Sequence, residues 1–151
     1  MKLCSHCFCI TMLIPGELIS PIRQILYLFN RFLYLKGMDY TELDHLKGKD
    51  PIVAKIYERL ITELQKFGRI EIEPKKTSIH FVNRFGFAGV YTRKEYINLE
   101  VHLNRKLTNK RVTKVEQAST NRYHHTIRLS DVKEVDKELL TWLREAYELK
   151  K

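Results

Sequence analysis

Tyr96-Ile97-Asn98-Leu99-Glu100-Val101-His102-Leu103 alternates polar and apolar residues without a break. In an extended chain successive side chains point to opposite faces, so Ile97, Leu99, Val101 and Leu103 share one face and Tyr96, Asn98, Glu100 and His102 the other. One face is built to be covered and the other is not, which is the pattern of a strand in an antiparallel sheet.

The same period of two extends in both directions, broken by turn residues roughly every eight to ten positions. The strands predicted from it are 69–73, 77–84, 87–93, 95–103, 111–117 and 122–129. Pro74 ends the first, and Arg84-Phe85-Gly86 and Arg93-Lys94-Glu95 are compact reversals. Upstream, Asp50-Pro51 starts a helix: Asp caps free amides, and Pro fits the first helical position because its missing N–H costs nothing there. That helix is predicted over 51–67. Val53, Ile56, Tyr57, Leu60, Leu64 and Phe67 form its stripe, and Gly68 is its stop. Downstream, Val132, Val135, Leu139, Trp142, Leu143, Ala146 and Leu149 repeat at helical spacing, predicting a helix over 134–149. Asp131, Glu134 and Asp136 stand near its positive end. The expected fold is α+β in two layers: an antiparallel meander of five to six strands packed against an N-terminal and a C-terminal helix.

Composition agrees with one globular domain plus extra length. Of 151 residues, 44% are hydrophobic and 30% charged, and Gly (6), Pro (4) and Cys (3) are too few for a collagen, a disordered chain or a disulfide scaffold. The extra length is residues 1–37, rich in apolar residues and poor in charge. All three cysteines lie there, in Cys4-Ser5-His6-Cys7-Phe8-Cys9, without the second ligand pair a zinc knuckle needs. The apolar run Cys7 to Ile14 is interrupted by Pro15-Gly16-Glu17 and has no small-x-small cleavage site, so it does not read as a signal peptide. Pro21 to Lys36 reads as an apolar or amphipathic helix that would pack on the core, lie on a membrane surface or meet a partner. The plainer expectation is that Met38 is the true start, 1–37 being an over-extended reading frame and 38–151 the domain. No run of 18 uncharged apolar residues suggests a spanning helix, and a cytoplasmic protein is expected.

The formal net charge of +9 is concentrated in the strands: residues 75–128 hold twelve basic and three acidic residues. A basic sheet with interleaved aromatics is one footprint of nucleic-acid binding, although solvated strands often carry lysine and arginine without any ligand. Asn104 to Arg111 is a polar loop with four positive charges that either grips a phosphate backbone or only joins two strands.

His80, His102 and His124 fall on three predicted strands. In 122–129 the set Arg122, His124, Thr126, Arg128 alternates with Tyr123, His125, Ile127, Leu129, placing His125 toward the core and His124 away. With Glu100 or Glu116, such histidines bind a metal or shuttle protons if they converge. Strand positions alone do not bring them together, and hydrogen-bonded structural histidines are the plainer expectation. No metal, cofactor or catalytic group is therefore assigned. Dinucleotide, Walker, His-Glu-x-x-His and nucleophile-elbow motifs are missing, and the glycines of Phe85-Gly86-Phe87-Ala88-Gly89-Val90 belong to a hairpin, where they permit a turn and close packing.

Several segments carry a family likeness: Gly48-Lys49-Asp50-Pro51, Thr77-Ser78-Ile79-His80-Phe81, Phe87-Ala88-Gly89-Val90, Lys114-Val115-Glu116-Gln117, Arg122-Tyr123-His124-His125-Thr126-Ile127-Arg128-Leu129 and Glu138-Leu139-Leu140-Thr141-Trp142-Leu143-Arg144-Glu145-Ala146-Tyr147. Through them, residues 45–151 resemble an uncharacterised bacterial and archaeal domain found alone or at the C-terminal end of predicted transport proteins and restriction-endonuclease-like proteins. The resemblance implies a fold and candidate ligand positions but no activity. Those positions are His80, Arg84, Lys114, Glu116, Arg122, His124, His125 and Arg128. The leading expectation is a non-enzymatic module whose basic sheet binds a polyanion such as nucleic acid. The alternatives are a small-molecule site or enzyme built on the strand histidines, and a structural or dimerising module that meets a partner protein.

Overall fold

The computed structural model describes residues 40–149, so the expectations for the cysteine cluster, the Pro21–Lys36 helix and the Met38 start lie outside the described residues. Among the described residues three helices, which we call α1 (Glu42–Leu46), α2 (Pro51–Leu64) and α3 (Lys137–Glu148), flank six strands. The strands are β1 (Glu71–Pro74), β2 (Ile79–Val82), β3 (Gly86–Thr92), β4 (Ile97–Leu103), β5 (Val112–Ser119) and β6 (Arg122–Leu129). All pair antiparallel in one open sheet. The α+β class, the six strands and the helices before and after them are as the sequence implies. Within the sheet the order is β1-β2-β3-β4-β6-β5. The chain thus leaves β4, runs out to the far edge, and returns as β6 between β4 and β5.

Local chemistry sets the boundaries. The Asp50 side chain accepts from the Ile52 amide at 2.9 Å and Pro51 takes the first helical position of α2. The helix ends in a 3-10 turn, Gln65–Phe67, closed by Gly68 at φ 134°. A Cβ at Gly68 would lie 2.6 Å from the Tyr147 hydroxyl, so position 68 needs glycine for both backbone and space. The short helix α1, missed by the sequence pattern, is closed by a capping box in which Thr41 and Asp44 bond each other's amides. The C-terminal helix is shorter than expected. Asp131 caps a 3-10 turn, Val132–Glu134, and the extended Asp136 then starts α3 afresh by accepting from Leu139 N at 3.0 Å.

The helices cover one face of the sheet. Ile79, Val90, Leu99 and Ile127 stand opposite one another across four strands, each 0% exposed. Val53, Ile56, Tyr57 and Leu60 of α2 and Leu139, Leu143 and Ala146 of α3 close over them, also at 0%. Each large apolar side chain buried this way contributes about 1.5–3 kcal/mol before entropy is counted. A bulge between Phe81 and Val82 leaves Phe87 without a register partner, and its ring packs edge-on to Tyr147 at 5.6 Å. Leu149, expected on the apolar stripe, is 42% exposed at the end of α3. Gly86 and Gly89 have room for a Cβ, so the close approach expected of them is not what places glycine there.

The Asn104–Arg111 loop is stitched to α3. Arg105 forks onto Glu145 at 2.8 and 2.7 Å. Arg111 bonds Asp136 at 2.9 Å, Glu138 at 3.2 Å and the Glu134 carbonyl at 2.6 Å, and Asn109 donates to Glu138. Arg105 and Arg111 therefore join the β4–β5 loop to the C-terminal helix, each paired with carboxylates of that helix or its cap.

Candidate histidine and carboxylate site

The uncovered face of the sheet carries the polar half of each alternation. Cross-strand register puts His80, Gly89, Glu100, Thr126 and Lys114 in one row, and His102, His124 and Glu116 in the next. The inserted position of β6 is what makes this happen. It places His124 directly opposite His102, two residues along β4 from Glu100.

Three of these side chains meet. The His102 and His124 rings stack, centroids 4.0 Å apart and 18° from parallel. A single oxygen, Glu100 Oε1, lies 2.8 Å from His102 Nε2 and 3.2 Å from His124 Nδ1. His102 faces acceptors on both sides, Glu100 at Nε2 and the Gly86 carbonyl at Nδ1 (3.1 Å). His124 Nδ1 faces the same carboxylate oxygen, and its Nε2 points away from it. That nitrogen is buried and has no hydrogen-bond partner. An unsatisfied buried polar group costs about 1–3 kcal/mol, and such groups are rare enough in folded proteins to ask for a reason.

The electrostatics follow from this arrangement. The hydrogen bond from His102 holds the Glu100 carboxyl below the usual carboxylate range, against the opposing effect of burial. Burial, reinforced by the adjacent His102, holds His124 below the usual imidazole value. His80 is also lowered, first by burial and then by the charges of Lys75 and His102. Its Nε2 lies 2.9 Å from Ser78 Oγ. Gly89, between His80 and Glu100 in the row, puts no side chain in the way.

Six of the eight sequence-derived positions reach this face: His80, Lys114, Glu116, Arg122, His124 and Arg128. Lys114 pairs with Glu116 at 2.5 Å. The Arg128 guanidinium lies over the Tyr96 ring, 3.9 Å from its centroid. The other two positions are not brought to it. His125 is 0% exposed on the covered face, where Nε2 accepts from Leu107 N at 3.0 Å and Nδ1 faces the Val101 carbonyl at 3.3 Å. Arg84 sits in the β2–β3 turn and lines a shallow groove with Arg69, Glu71 and Glu73. Conversely, Glu100 and His102, the centre of the cluster, were not among the eight. The alternation put both on the open face, but only the β4–β6 pairing shows that they meet His124.

A family profile described as a domain of unknown function, DUF5655, matches residues 42–150. No curated protein and no solved structure matches the chain. The chain belongs to the DUF5655 family.

Proposed function

We propose that this DUF5655 domain is a binding module that takes a phosphate-bearing polyanion, nucleic acid foremost, on the open face of its sheet. The observation that carries the reading is the β6 row. Arg122, His124, Thr126 and Arg128 point to the open face together, and Arg122 and Arg128 have no ion-pair partner among the described residues. Strand geometry sets the two arginines about 20 Å apart, with Lys114 on the neighbouring strand. Tyr96 holds the Arg128 guanidinium in a stacked position, a contact that orders the cation while leaving its N–H groups at the edge free to donate.

Charge is the warrant, so salt is the test. Fluorescence anisotropy of the full chain against labelled single-stranded DNA, duplex DNA and RNA, across a salt series, is expected to show affinity falling linearly on a log–log plot. Replacing Arg122 and Arg128 together with alanine should lower that slope by about 1 per residue. Absence of binding at low salt, or binding that the double variant leaves unchanged, overturns the reading.

A further inference from the structure

We infer that Glu100, His102 and His124 form a binding site for one divalent transition-metal ion of the zinc, cobalt or nickel kind. This does not depend on the polyanion reading, and its test contains no nucleic acid.

Geometry comes first. One donor atom from each of the three residues lies within 4.8 Å of the others. An ion about 2.0–2.2 Å from each donor needs them about 3–3.5 Å apart, close to two of the separations, 2.8 and 3.2 Å. The third separation is within 4.8 Å. The donors are held by the backbone: Glu100 and His102 by their two-residue spacing on β4, and His124 by its register opposite His102. All three are partly buried, with side-chain exposures of 18%, 12% and 25%.

The donor set selects the class of ion. Two imidazoles and a carboxylate suit zinc, cobalt, nickel and ferrous iron, whereas magnesium and calcium prefer oxygen alone. The surroundings have the form that ligating histidines use. His102 donates Nδ1–H to the Gly86 carbonyl at 3.1 Å, which fixes its ring and leaves Nε2 toward the site. Without a metal, His102 is hydrogen-bonded to Glu100 and His124 Nδ1 lies 3.2 Å from the same oxygen. Three protein ligands leave at least one coordination position for water or another ligand.

The experiment is a cobalt and zinc titration of the reduced full chain, in wild type, H102A, H124A and E100Q, with near-UV circular dichroism confirming that each variant is folded. The N-terminal cysteines are retained, because cobalt reports them separately through thiolate charge-transfer absorption. The expected result is one micromolar or tighter ion per chain with visible d–d bands and no thiolate band, weakened at least about 100-fold in H102A and H124A. E100Q, which keeps the shape of the side chain and loses its charge, should weaken binding as well. No binding by wild type, binding only with the thiolate band, or unchanged affinity in the folded histidine variants overturns the inference.

Discussion

Replacing His125 with alanine separates a structural histidine from the open-face ones, and its cost can be worked from the contacts. The ring is wholly buried, accepts from Leu107 N at 3.0 Å and faces the Val101 carbonyl at 3.3 Å. Alanine leaves the Leu107 amide without its partner, about 1–3 kcal/mol, and opens a cavity comparable to a Leu to Ala change, about 2–5 kcal/mol. Since the two losses overlap, about 4 kcal/mol is expected, a large share of a typical domain stability of about 5–15 kcal/mol. A pH signature accompanies it. Burial, the largest cause, holds His125 below the usual imidazole value, so the unfolded chain binds a proton that the fold excludes. Its contribution is present above about pH 6.5 and is lost as pH falls below that value. Urea unfolding of the full chain at several pH values measures both effects: H125A should unfold at much lower urea, with a flatter acid limb by one titrating group. A loss under about 1 kcal/mol, or an unchanged acid limb, would refute the structural assignment of His125.

Two other predictions concern groups that hold the scaffold. R111A removes the contacts to Asp136, Glu138 and the Glu134 carbonyl, and because the acidic partners are 45% and 47% exposed the loss should be about 1–2 kcal/mol by denaturant melt, with polyanion affinity unchanged. Glu42 is 1% exposed, takes the Tyr57 hydroxyl at 2.5 Å, and burial raises its pKa. The fold therefore favours its protonated form, and stability falls as pH rises past the unfolded carboxyl value of about 4.3. E42Q should be more stable than wild type at neutral pH, by an amount that shrinks toward pH 4 in thermal melts; a constant difference across pH would mean that Glu42 does not titrate in this range.

Where the chain announces its structure, it does so locally. The alternation in 95–103 and in 122–129 identified both faces of β4 and β6, including the inward turn of His125, because a period of two needs no knowledge of the neighbours. Asp50-Pro51 marked a helix start for an equally local reason. The C-terminal break at Asp136 was hidden because Val132 and Val135 keep helical spacing across a 3-10 turn. The five-residue α1 is too short for periodicity and shows only as the Thr41 and Asp44 capping pair. The site was legible as parts and not as a cluster. Glu100, His102 and His124 each read as open-face residues, but their convergence depends on β6 entering the sheet beside β4 ahead of β5, a long-range pairing that no local pattern encodes. In the same way, Arg105 and Arg111 counted toward a basic footprint until α3 was seen to face them with Glu145, Asp136 and Glu138.

The central claim is that ligands of this domain meet the open face of the sheet. The most direct measurement is the two-dimensional amide spectrum of the isotopically labelled full chain, recorded during titration with zinc and, separately, with a short oligonucleotide. The expected shifts are confined to β4, β5 and β6, centred on Glu100, His102 and His124 for zinc and on Arg122, Arg128 and Lys114 for the oligonucleotide, with α2 and α3 unmoved. Shifts centred on the helices, or none on these strands with either ligand, would contradict it.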